Sequence, residues 1–216
     1  MMSIILLDIG NVILSVDFLA FCRGVVPEGA GELQEVCRKY CEGELKSSFE
    51  RGMTTPSDYL GMIQRDPLTA TLSHEEIEVR WQDIFTLVSG AEEALAQLAL
   101  THRIWLMSDT DPLHVSWFME HYPLLQQRER YYFSYEHGFL KSSPEAFRHV
   151  LTHSGVPAEE FLLIDDKPEN CRSAALLGIQ SILFQSWPET IARLASLPSR
   201  CKPDRELEDS TRKLHG

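Results

Sequence analysis

Ile4-Ile5-Leu6-Leu7-Asp8-Ile9-Gly10-Asn11-Val12-Ile13-Leu14 decides how the rest of the chain is read. Its first residues are apolar without alternation, the mark of a strand buried on both faces of a parallel sheet. Asp8, Gly10 and Asn11 then break the run, so residues 3–7 read as a strand that passes into a loop. Two later stretches repeat the pattern. Ile104-Trp105-Leu106-Met107 is followed by Ser108-Asp109, and Phe161-Leu162-Leu163-Ile164 by Asp165-Asp166. Further strands are expected at 131–134 and 179–184, with helices at 91–100, 112–121, 143–154, 168–177 and 188–197 between and after them. Strands alternating with helices imply right-handed βαβ units and a parallel sheet. The expected fold is therefore α/β, a three-layer Rossmann-like parallel sheet.

Residues 16–88 interrupt that alternation. They carry four or five amphipathic helical segments, no convincing strand, and punctuation by Gly29, Gly31, Gly43, Gly52, Pro56 and Pro67. The block reads as a small all-helical domain inserted into a core made of 1–15 and 89–197. Residues 198–216 are polar and aperiodic and read as a mobile tail.

The chain has 216 residues, with 20 lysines and arginines against 32 aspartates and glutamates, a formal net charge of −12. Such a chain repels nucleic acid and anionic membrane surfaces, and no basic patch offsets this. The apolar start carries Asp8 and no basic segment, so it does not read as a signal peptide. No uncharged stretch is long enough to span a bilayer. Cys22, Cys37, Cys41, Cys171 and Cys201 show no paired spacing. Cys37 and Cys41 fall with Leu33, Val36 and Tyr40 on one apolar helical stripe, which favours core packing over a zinc site. Free thiols suit a reducing compartment, and a cytoplasmic protein is expected. His114, His121, His137, His149 and His153 are scattered and read as surface residues. Trp81, Trp105 and Trp117 read as packing residues, with Trp81 also a candidate for a substrate-facing wall.

Ligands of open parallel sheets bind beyond the carboxyl ends of the strands. Asp8, Ser108, Asp109, Asp165 and Asp166 all fall there, with Lys141 in a loop between the second and third of these strands. Carboxylates converging from separate strands repel one another unless a cation neutralises them. An oxygen-only acidic set favours Mg²⁺. A lysine and a serine beside it can hold phosphate oxygens, and a carboxylate left free can attack phosphorus. Taken singly, Asp109 reads as a cap for the helix starting near Pro112, and Lys141 as a solvated loop lysine. Their joint placement carries the functional reading.

These motifs resemble those of the haloacid dehalogenase (HAD) superfamily. Asp8 to Leu14 with Asp17 is similar to its first motif in a D-x-G-N-V form, Ser108 to the second, Lys141 to the third, and Asp165-Asp166 with Asn170 to the fourth. Glu50-Arg51-Gly52 and Trp81-Gln82 in the insertion resemble parts of the family's helical cap. The subgroup most resembled is the bacterial α-D-glucose-1-phosphate phosphatase type. The resemblance implies Asp8 as nucleophile, Mg²⁺ held by Asp8, the Gly10 backbone carbonyl and Asp166, and Asp165 beside the metal. It implies Ser108 and Lys141 on the transferring phosphate, with Asp109 next to them. The implied activity is hydrolysis of a small phosphate monoester, a sugar phosphate, through an aspartyl-phosphate. The implied partner is a small phosphorylated metabolite bound by a monomer or homodimer.

Two positions depart from the pattern. Gly10 stands where most of these phosphatases carry a second aspartate that protonates the leaving oxygen, and Asp109 stands where related enzymes carry asparagine. Asp109, Asp17 or solvent are the alternatives for the missing proton transfer. A second reading is a catalytically weakened protein that binds a phosphorylated ligand or partner; a third is a 2-haloacid dehalogenase.

Overall fold

The computed structural model describes residues 4–27 and 33–197. The expectation for the tail at 198–216 falls outside them, as does Cys201. In chain order the elements are β1 (Ile4–Leu7), β2 (Leu14–Val16), α1 (Phe18–Val25), α2 (Leu33–Tyr40), α3 (Gly43–Glu50), α4 (Pro56–Gln64), α5 (His74–Gln82) and β3 (Phe85–Leu87). There follow α6 (Ala91–Ala99), β4 (Arg103–Ser108), α7 (Pro112–His121), β5 (Arg130–Phe133), α8 (Ser134–His137), α9 (Pro144–Ser154), β6 (Phe161–Asp165), α10 (Pro168–Ala175), β7 (Gln180–Leu183) and α11 (Trp187–Ser196).

Five strands form one parallel sheet in the order β5-β4-β1-β6-β7. The central strand explains its own sequence. Ile5 and Leu7 enter one apolar cluster, with Ala94, Leu95 and Leu98 of α6, Phe118 of α7 and Trp187 of α11. Ile4 and Leu6 enter another, with Ala146, Phe147 and Val150 of α9 and Ala174 of α10. Alternate side chains thus serve opposite faces, both covered by helices, and a polar residue has no place on either. Each such aliphatic side chain stabilises the fold by about 1.5–3 kcal/mol.

The helices α1 to α5 bury their apolar faces in a third cluster around Phe21, Tyr40, Phe49, Tyr59 and Trp81. Sequence periodicity missed the join between this lobe and the sheet. β2 and β3 pair antiparallel, with Leu14 opposite Leu87 and Val16 opposite Phe85, so the chain leaves and re-enters through a two-stranded ribbon. Three-residue strands are too short to show a period of two. The lobe also touches the core at Gly52, whose φ is +68° and where a Cβ would collide with the Tyr135 carbonyl oxygen. Only glycine permits that backbone and that approach.

The cysteines correct the expectation of free thiols. Cys22 on α1 and Cys37 on α2 are joined by a disulfide, with Cα atoms 5.7 Å apart, and Cys41 Sγ lies 3.6 Å from Cys22 Sγ. Sequence spacing could not show this, because the pairing depends on how α1 docks on α2. The apolar stripe of α2 is otherwise as read, with Val36, Tyr40 and Cys41 buried. No described helix is long and apolar enough to cross a membrane.

Candidate active site

Strand register assembles the site. Leu7 pairs with Leu106 on one side and Ile164 on the other, and the Asp8 N–H donates to the Ile164 carbonyl at 3.0 Å. Asp8 and Asp165 therefore leave adjacent strands at the same level, and Ser108 ends the strand on the other side. All three are buried, with Asp165 fully so.

Lys141 follows α8 through Gly138, which closes that short helix in the left-handed conformation at φ +83°. Its side chain is buried, and its Nζ lies 2.6 Å from Asp8 Oδ1 and 2.6 Å from Asp165 Oδ2. Its backbone N–H donates to Asp109 Oδ1 at 2.9 Å. Asp165 Oδ1 accepts from the Lys167 N–H and from Asn170 Nδ2, both at 2.9 Å. Asn11, at φ +55°, donates from Nδ2 to Asp166 Oδ2 at 3.3 Å.

The charges do not balance. Burial alone would raise the Asp165 carboxyl, but Lys141 and the Lys167 and Asn170 donors outweigh it and hold it below the usual carboxylate range. Asp8 goes the other way: burial and the nearby Asp165 and Asp166 push it well above that range despite Lys141. Burial pulls the Lys141 ammonium down, yet Asp8, Asp165 and Asp109 together hold it well above its ordinary value. One ammonium thus secures one carboxylate and leaves the second short of positive charge. Oxygens of Asp8, Asp165 and Asp166 lie within 4.8 Å of one another, and the buried Asp166 Oδ1 has no hydrogen-bond partner among the described residues. An orphaned carboxylate oxygen beside an under-neutralised one is the donor set a hard divalent cation takes.

A cavity of about 120 Å³ opens over these groups, lined by Asp8, Gly10, Asn11, Ser108, Asp109, Lys141 and Lys167 from the core. Burial raises the Asp109 carboxyl above its ordinary value against the pull of Lys141. Its expected role as a helix cap is wrong. Asp111 caps α7, accepting from the Leu113 and His114 N–H groups. Pro112 at the first helical position makes the residue before it the cap, a signal the sequence did contain. Asp17 caps α1 and pairs with Arg23 at an exposed site, and does not line the cavity.

Among the charged and imidazole side chains of the lining, Lys46 of α3, Lys167 and His114 of α7 were not read as site residues, and Glu50 of α3 was read only as part of the cap resemblance. His114 is not a surface residue. It is 4 % exposed, with Nδ1 2.7 Å from Asp111 Oδ2 and Nε2 2.8 Å from the Trp81 carbonyl, and it stacks on the Trp81 ring at 4.8 Å. Trp81 lies behind it and donates from Nε1 to Asp111 Oδ2 at 3.2 Å, so the histidine and not the tryptophan forms that wall.

Fold and site place the chain among hydrolases built on a parallel sheet with a carboxylate cluster at its strand ends. It belongs to the haloacid dehalogenase-like hydrolases, whose family model matches residues 2–178. It is 24% identical over 188 residues to a D-ribitol-5-phosphate phosphatase of Bacteroides thetaiotaomicron, covering 84% of this chain and 91% of the relative. A HAD family enzyme of the same organism, solved in complex with magnesium and inorganic phosphate, superposes with a TM-score of 0.74 at 22% identity, over 86% of this chain and 96% of the other. A HAD-like family hydrolase of Porphyromonas gingivalis gives 0.74 at 20% identity, over 92% of this chain and all (100%) of the other. The first of these relatives is thus named for a polyol phosphate, and none of the three is named for α-D-glucose 1-phosphate.

Proposed function

We propose that this chain is a Mg²⁺-dependent phosphatase that hydrolyses a small sugar or polyol phosphate through an aspartyl-phosphate on Asp8. The observation that carries the reading is the shared Lys141 ammonium between Asp8 and Asp165, next to the orphaned Asp166 oxygen. Asp8, the Gly10 carbonyl and Asp166 would hold Mg²⁺, with Asp165 beside it. When bound, the ion supplies positive charge against the phosphate and the carboxylates.

Asp8 Oδ attacks phosphorus, and the bond from phosphorus to the leaving oxygen breaks. Lys141 and Ser108 hold phosphoryl oxygens during transfer. Asp109 lines the same cavity with a carboxyl raised by burial, so it can deliver the proton that the side chain missing at Gly10 would have given. Water then attacks the phosphorus of the acyl phosphate and gives its proton to the ionised Asp109; the bond from phosphorus to Asp8 breaks, which releases phosphate and restores the Asp8 carboxylate. The helical lobe of residues 16–88 acts as a cap, excluding water and selecting the leaving group. The substrate is a small phosphorylated metabolite.

Phosphate release from acetyl phosphate, D-ribitol 5-phosphate, glucose 1-phosphate and glucose 6-phosphate, with Mg²⁺ and with chelator, tests this. Release that requires Mg²⁺ and vanishes in Asp8→Asn is expected. The absence of a side chain at Gly10 favours a second reading, a protein that binds phosphorylated ligands with little turnover. Tight binding of phosphate with Mg²⁺, without hydrolysis of any of the four compounds, would select that reading instead.

A further inference from the structure

We propose that Lys46 and Glu50 form the subsite that reads the leaving group, and that they select neutral, hydroxylated leaving groups over anionic ones. The inference rests on the phosphatase reading and deepens it. The two residues sit one turn apart on α3 and both line the cavity, on the lobe side opposite Asp8 and Ser108. Their side chains are 15% and 11% exposed, and they form an ion pair between Lys46 Nζ and Glu50 Oε1. Among the described residues, the Glu50 carboxylate has no hydrogen-bond partner other than Lys46. Lys46 lies over the Phe18 ring, 5.0 Å from its centroid.

Burying two charges costs more than a matched apolar pair of the same size. A pair that only held the lobe together would be expected on its surface or replaced by packing. This one faces the reaction cavity. Gly52, two residues past Glu50, seats the end of α3 against the Tyr135 backbone of the core, which fixes the height of the pair above the strand ends.

The chemistry of the pair defines what it takes. A carboxylate accepts from a hydroxyl, and an ammonium donates to one. Adjacent hydroxyls of a sugar or polyol can meet both at once. The pair itself is neutral, and Asp109 adds a further carboxyl to the cavity wall. A leaving group carrying its own carboxylate would therefore face Glu50 with its neighbouring cation, Lys46, already paired, while Lys167 stands on the core wall of the cavity. Removing the two partners should push selectivity in opposite directions. Glu50→Gln frees the Lys46 charge and favours an anionic leaving group; Lys46→Met leaves Glu50 unopposed and disfavours it.

The test measures kcat/KM for D-ribitol 5-phosphate and 2-phosphoglycolate on the same samples, and reads their ratio. The wild type should prefer D-ribitol 5-phosphate by about tenfold or more, the scale of one charge-assisted hydrogen bond. Glu50→Gln should lower the ratio about tenfold, and Lys46→Met should raise it. The ratio does not depend on the fraction folded, and a structural role for the pair would move both substrates together. A ratio within twofold of wild type in both variants, or a shift of the same sign in both, would overturn the subsite. Acetyl phosphate, which has almost no leaving group to read, separates the two claims. Hydrolysis that needs Asp8 with an unmoved ratio sinks only the subsite, whereas no Asp8-dependent hydrolysis of any ester sinks the phosphatase reading and the subsite with it.

Discussion

Lys141 Nζ stands 2.6 Å from Asp8 Oδ1 and 2.6 Å from Asp165 Oδ2, and all three side chains are buried. The lysine is therefore part of the fold as well as a candidate ligand for phosphate. Removing one member of a buried ion pair leaves an unpaired charge and costs on the order of 3–5 kcal/mol. Lys141→Met should lower the unfolding temperature of the metal-free protein clearly. Mg²⁺ binds only the folded arrangement and would replace part of the missing charge, so it should raise the melting temperature of the variant more than that of the wild type. Thermal unfolding with Mg²⁺ and with chelator measures both effects. Equal melting of the two proteins without metal would show that Lys141 does not neutralise the cluster.

Asp111 carries four contacts at the seam between lobe and core: the Leu113 and His114 N–H groups, Trp81 Nε1 and His114 Nδ1. The surrounding donors hold its carboxyl below the ordinary range although burial opposes this. Asp111→Ala loses the helix cap and strands the buried His114 and Trp81 donors. A loss of about 3 kcal/mol or more is expected from these terms together. Asp17→Ala removes a cap of the same type from α1, but at an exposed position, and should cost only about 1 kcal/mol. Urea unfolding of the two variants side by side checks the contrast. Comparable losses would mean that the seam contributes nothing beyond the cap.

A pH dependence follows from the imidazoles of α8 and α9. His137 is partly buried, its Nε2 has no partner among the described residues, and its ring stacks on His149 at 4.8 Å. Burial, and then the neighbouring His149, pull its pKa down to about 4. The unfolded chain takes up that proton at ~6.5. Between these values the unfolded state binds more protons, so this contribution is fully present above about 6.5 and is lost as pH falls towards 4. Melting temperature should decline from about pH 7 to about pH 4.5, and His137→Asn should flatten the decline. Parallel curves for the two proteins would remove His137 from the explanation.

The strand-end residues were legible because an unbroken apolar run leaves no doubt where it stops. Asp8, Ser108, Asp165 and Asp166 mark those stops, and the three-layer sheet follows from the same runs. Lys141 was legible only through its joint placement with the strand-end carboxylates and through resemblance, since nothing local distinguishes a loop lysine that turns inward. The cap of α7 was readable from Pro112 and was misassigned to Asp109 all the same. The place of Lys46, Glu50 and His114 in the cavity wall was beyond reach for a different reason, although Glu50 entered the cap resemblance. Each lies on an amphipathic helix whose polar positions look solvent-facing, and only the docking of α3 and α7 over the strand ends encloses them. The Cys22–Cys37 bond likewise depends on helix packing, which spacing along the chain does not encode.

The missing side chain at Gly10 offers the sharpest test of how the proton moves. Gly10 is not in the left-handed region, and a Cβ there would meet only Val16 Cγ2 at 3.7 Å, an ordinary contact. The backbone at residue 10 therefore accepts a Cβ. If proton transfer limits turnover, Gly10→Asp should speed hydrolysis of an ester with a poor leaving group, glycerol 3-phosphate, by about tenfold or more, since a positioned general acid is worth about 10²–10⁴. Asp109 enters the same comparison. Should Asp109 be the present donor, Asp109→Asn slows the otherwise unaltered protein about a hundredfold and costs little in the Gly10→Asp background, because two donors to one oxygen are redundant. Should Asp109 act instead by repelling phosphate, Asp109→Asn raises kcat/KM in both backgrounds. Steady-state rates of the wild type, the two single variants and the double variant decide between these signs. A Gly10→Asp enzyme that binds Mg²⁺ but turns over no faster would show that proton delivery is not what limits this site.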